Sequence, residues 1–126
     1  MYGFSKQVNY DFDSAIEKVT EELQKEGFGI LTEIDVKATL KKKLDVDHPN
    51  YKILGACNPP LAHKALTEEI EIGLLLPCNV IVYEKDATVH VSIIDAKAMF
   101  KIVDREDIVP LAEEVNKKLK TVIDNL

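Results

Sequence analysis

The residues of this chain with usable chemistry gather around two cysteines and one helix start. Cys57 closes a strand-like run and stands immediately before Asn58-Pro59-Pro60. Asparagine is a preferred N-cap, and proline fits the first helical turn, where its missing N–H costs nothing. A thiol there lies near the positive end of a helix, with Lys64 one turn further on. Both features lower a thiol's pKa and raise its reactivity. The competing reading is a small core residue, because free cysteine is among the most buried residue types. Cys78 follows Pro77 and opens the next strand, on the parity of Val80 and Val82, which favours the core. Where the two strand ends adjoin, the sulfurs converge and a metal site or redox pair becomes available.

His63 falls in the first turn after Cys57. Cys57 and His63, with an acid such as Glu69, have the residue types of a nucleophile and its base. Proximity in sequence does not set their geometry, and no cysteine-enzyme signature surrounds them. His48 lies in a loop and His90 on the polar side of a strand, where it is an alternative base. Cys57, His63 and Cys78 are the candidate metal ligands. Thiolate and imidazole suit a borderline metal such as zinc, although the cysteine separation is not a zinc-finger spacing. The helix start together with Lys64 offers a second route, capture of a small anion by free backbone N–H groups. An ordinary capped helix beside a solvated lysine face explains the same residues. The ligand-binding candidates are therefore Cys57, Asn58, His63, Lys64, Cys78 and Asn79. Neither GxGxxG nor GxxxxGK[ST] occurs.

Periodicity supplies the elements that must position these residues. Residues 2–8 alternate as a half-buried strand. Asp11 or Asp13 caps a helix with Phe12, Ala15, Ile16, Val19 and Leu23 on one face, and Gly27 suits its C-terminal end. Residues 28–34 read as a strand with Phe28, Ile30, Thr32 and Ile34 on one face, and Gly29 suggests a bulge or a close backbone approach. Asp35 caps a short helix with Val36, Leu40 and Leu44 turned inward. Residues 51–57 form a third strand, and a helix runs from about Pro60 towards Ile72. The apolar connection 73–77 belongs in the core or at a subunit contact. Residues 78–84 and 88–94 form a hairpin. Residues 95–105 are a connection or partial turn, and a helix follows from Asp107. The order β-α-β-α-β-α-β-β-α predicts an α+β fold. Its sheet is mixed or mostly antiparallel, with about five strands and with helices on one face.

The chain of 126 residues is expected to be one domain, 1–126. With 46% hydrophobic and 30% charged residues it is globular rather than disordered. The net charge of −6 argues against a nucleic-acid partner. Only residues 37–64 are net positive, with six lysines against two acids. No apolar run is long enough for a membrane span, and the first residues lack a leader's basic-then-apolar layout. A cytoplasmic location with reduced thiols is the expectation.

Gly55-Ala56-Cys57-Asn58-Pro59, then residues 62–66 (AHKAL), then Leu76-Pro77-Cys78-Asn79-Val80 resemble the prokaryotic domain-of-unknown-function family 302. The resemblance extends to Gly27–Val36 and to the start of the first helix. It implies a compact α+β domain that tends to form homodimers, and it implies no activity or cofactor. Three readings follow. The first is a homodimeric binding or interaction domain with a ligand site, for an anion or a metal, near the Cys57–His63 turn. The second is a cysteine-dependent enzyme or thiol redox protein using Cys57. The third is a structural subunit whose segments 73–77 and 95–103 mark contacts.

Overall fold

The computed structural model describes residues 2–126. Its strands are β1 (Gly3–Val8), β2 (Gly29–Asp35), β3 (Tyr51–Cys57), β4 (Cys78–Lys85) and β5 (Thr88–Ile94). The helices are α1 (Phe12–Lys25), α2 (Val36–Leu44), α3 (Pro59–Glu68), α4 (Ala96–Phe100) and α5 (Val109–Asp124). The strands form one sheet in the order β1-β5-β4-β3-β2, and every pairing is antiparallel. The α+β expectation therefore holds in its antiparallel form.

Local chemistry accounts for most element boundaries. Asp11 accepts from Ser14 N and starts α1, and Asp35 accepts from Ala38 N and starts α2. Asp86 and Ala87 both adopt positive φ in the two-residue β4–β5 turn, the backbone that matches strand twist in tight hairpins. The region after β5 is more ordered than a connection. Asp95 accepts from the Lys97 and Ala98 amides and opens α4.

The core lies on one face of the sheet. Val80, Val82, Val91 and Ile93 pack there against Ala15, Val19 and Leu23 of α1 and Leu119 and Val122 of α5. A second cluster joins Ala65, Ile72, Phe100, Ile108 and Ala112. Among the described residues, no helix is long and apolar enough to cross a membrane.

The structure departs from the sequence pattern at three places. The helix expected to reach Ile72 ends at Glu68, because Glu69 is extended, and a 3₁₀ turn over Ile70–Leu75 follows. Leu44, expected inward, is 67% exposed at the end of a helix with no buried residue. The β2 irregularity falls at Leu31 rather than Gly29. Ile30 pairs with Ala56 and Thr32 with Gly55, so Leu31 has no partner, and residues 30 and 32 lie on opposite faces.

Candidate functional site

The end of β3, the start of α3 and the segment leading into β4 enclose a cavity of about 280 Å³. Each wall follows from local sequence. Asn58 Oδ1 accepts from Leu61 N at 3.3 Å and starts α3. The helix then presents Leu61, Ala62, Ala65 and Leu66 at i, i+3 and i+4 spacing along one side of the cavity. Phe100, Leu111 and Val115 close it from α4 and α5, and Leu31, Leu76 and Pro77 lie around its edge. Asn116 helps hold the α4 wall. Its Oδ1 accepts from Ala96 N at 2.7 Å, and its Nδ2 donates to Asp95 Oδ1 at 2.8 Å.

Cys57 and Cys78 both line this cavity. The register explains their meeting: Ala56 pairs with Cys78, so Cys57 is one residue beyond that pair. They are not equivalent. Cys57 is half-buried, whereas Cys78 is 5% exposed within the main core. Burial pushes the Cys78 thiol up to about 11, and the neighbouring Cys57 adds to the effect. Cys78 is accordingly a neutral thiol at physiological pH.

Asn58 also lines the cavity, but both ends of its amide are engaged. While Oδ1 caps α3, Nδ2 donates to the Glu26 carbonyl at 3.2 Å. His63 and Lys64 are exposed on α3 and lie outside the lining, and Asn79 is exposed on the opposite strand parity to Cys78. Glu69 contacts Arg105 at 3.3 Å and accepts from Glu71 N. His90 stacks on Tyr83 at 5.0 Å. That row of the sheet lies six residues along β3 from Cys57, roughly 20 Å at strand rise. The structure therefore brings Cys57, Asn58 and Cys78 together and leaves His63, Lys64, Asn79 and His90 elsewhere. Among the described residues, no group of three or more His, Cys, Asp or Glu side chains is placed to hold a metal ion.

What the cavity offers is apolar contact. Among the described residues, no Asp, Glu, Lys, Arg or His lines it, and nearly all of its surface is apolar. Such a space favours a neutral guest, because a charge placed there loses hydration without gaining a partner. Sequence reasoning found the thiols but missed the apolar walls. The short-residue face of α3, with alanine at 62 and 65, was the available signal.

The opposite face of the sheet carries a second feature absent from the sequence reading. Tyr51, Tyr83 and His90 form a stacked row across β3, β4 and β5, with centroid separations of 5.6 and 5.0 Å. His48 meets Tyr51 edge-on at 6.1 Å. By register, the next row on this face is Ser5, Ser92, Ile81, Ile53 and Ile34. Aromatic residues at one parity of adjacent strands were the legible sign.

The family model described as "Domain of unknown function DUF302" matches residues 4–126. The crystal structure of the uncharacterized conserved protein DUF302 from Bacillus stearothermophilus is similar throughout. It is 27% identical, with a TM-score of 0.93 over 99% of this chain and 98% of that one. No curated protein matches the chain.

Proposed function

This chain belongs to the DUF302 family, and from that premise we propose that it is a binding domain for a small, neutral, largely apolar molecule held between α3 and the end of β3. One observation carries this reading: a cavity of about 280 Å³ with an almost wholly apolar lining, reached from the side where Leu31 is exposed. Dry apolar cavities of about 150 Å³ accommodate a benzene-sized guest, so this larger space, open on one side, suits two or three rings or a short branched chain. Few polar groups remain free to fix orientation, so shape does most of the selecting. The Cys57 thiol sits on the wall of the cavity. The same lining favours an apolar guest over an anion or a metal ion.

The test uses N-phenyl-1-naphthylamine, a neutral fluorophore that brightens in apolar surroundings. The folded chain should bind it saturably, and occupancy should slow alkylation of Cys57 by a maleimide. Unchanged fluorescence together with unprotected Cys57 would remove the reading.

A second reading has its own support. The sheet face bearing Tyr51, Tyr83 and His90 also presents Ile34, Ile53 and Ile81, all partly exposed. Among the described strand residues of that parity, only Lys85, at the hairpin end, is charged. In an isologous dimer a surface meets its own copy, and a face almost free of charge avoids like-charge contacts. We propose this face as the contact of a homodimer. Light scattering after size exclusion should give twice the chain mass, and Ile81→Glu should halve it. A native monomer at micromolar concentration would overturn this second reading.

A further inference from the structure

We infer that Leu31, mounted on the β2 bulge, is the side chain that closes over a guest in the α3 cavity and sets how tightly it is held. The inference rests on the cavity reading and adds a residue role to it. Leu31 lines the cavity, yet it is 68% exposed. A leucine in that position is poorly buried by the protein itself and gains contact when something lies beneath it. The backbone supports this placement. Ile30 is held by pairing with Ala56 and Thr32 by pairing with Gly55, which leaves Leu31 as the extra residue between two fixed neighbours. Bulges re-aim a side chain in this way, and they concentrate next to binding and active sites. Thr32 and Pro77 both occupy the space above Gly55, where an added side chain would collide with them, so the residue that follows the bulge packs close to β3 and to the β4 approach. Pro77 belongs to the cavity edge as well. Leu31 therefore projects from between two paired residues over a site whose remaining walls are buried or half-buried.

The guest chemistry follows from the same contacts. A branched aliphatic side chain closing over an uncharged cavity rewards apolar surface and gives no hydrogen bond. Neutral hydrocarbon-rich molecules should therefore bind better than carboxylated analogues of the same shape.

The experiment compares N-phenyl-1-naphthylamine binding by the native chain, Leu31→Ala, Leu31→Met and a control, Leu44→Ala. Leu44 is as exposed as Leu31 but lies outside the cavity. Leu31→Ala should weaken binding about fivefold, chiefly through faster dissociation, for loss of part of a leucine's apolar contact. Leu31→Met should stay within about twofold, because methionine is volume-conserving. Leu44→Ala should bind as the native chain does. Melting curves should agree for all four, since neither leucine is a core residue. Native binding with an undiminished Leu31→Ala variant would overturn the role of Leu31 and leave the cavity reading intact. Failure of the native chain to bind would remove both.

Discussion

Asn58 joins two helices through one amide. Its Oδ1 caps α3 at Leu61 N, and its Nδ2 donates to the Glu26 carbonyl at the end of α1. The side chain is only 8% exposed, and Gly27, at positive φ, leaves room for it. The mouth of the cavity and the end of α1 are therefore held in one piece.

This double use yields a prediction that capping alone would not give. Aspartate is as good an N-cap as asparagine. At residue 58, however, aspartate places a carboxylate oxygen against the Glu26 carbonyl. Asn58→Asp should destabilise by at least as much as Asn58→Ala, about 1–3 kcal/mol. Chemical denaturation measures both, and a neutral Asn58→Asp would show that the bond to Glu26 contributes little.

Gly55 tests the register. An added Cβ would collide with Thr32 Oγ1 and stand 2.7 Å from Pro77. Gly55→Ala should cost about 1–3 kcal/mol through overpacking. It should also lower affinity for the apolar fluorophore, because Thr32 and Pro77 flank the bulge and the cavity edge. A stable variant with native binding would show that this junction yields easily.

The two thiols should separate by reactivity. At neutral pH a colorimetric thiol reagent should titrate Cys57 readily and Cys78 only after unfolding, because Cys78 is buried and its pKa is raised to about 11. The raised value has a consequence for stability. Between the ordinary thiol range near 9 and about 11 the folded chain holds this proton more firmly than the unfolded chain. That contribution is present at neutral pH and is lost as pH rises through this window. Cys78→Ala should show a shallower loss of stability between pH 9 and 11 than the native chain, as measured by urea midpoints. Equal slopes would refute a buried, neutral Cys78.

Filling the cavity should abolish binding with little effect on the fold. Ala62 is half-buried on the wall of α3. Ala62→Phe should occupy the space, eliminate fluorophore binding and leave the melting temperature within a few degrees of native, roughly 1 kcal/mol. Retained binding would move the guest elsewhere.

Much of this architecture was legible from residue patterns, because the responsible forces are local. Asp11, Asp35 and Asn58 cap the helices expected of them, and the alternation of β4 and β5 put Cys78, Val80 and Val82 on one face. What misled was also local. Glycine at 29 drew the expected irregularity, yet a Cβ there would meet open space, and the crowded glycine is Gly55 on the neighbouring strand. The first turn of α3 suggested that His63 would lie near Cys57, but Leu61 and Ala65 claimed the buried side and turned His63 to solvent.

The sequence by itself determined the α+β class, nearly every strand, the helix caps and the neighbourhood of Cys57 and Cys78, because backbone preference, capping and hydrophobic period act within a few residues. Only the tertiary structure decided that both thiols share one uncharged cavity and that Leu31 overhangs it. It also decided that Tyr51, Tyr83 and His90 form a single row. Each of these depends on which strands are neighbours and in what register, and strand pairing joins residues too far apart in the chain for any local pattern to encode.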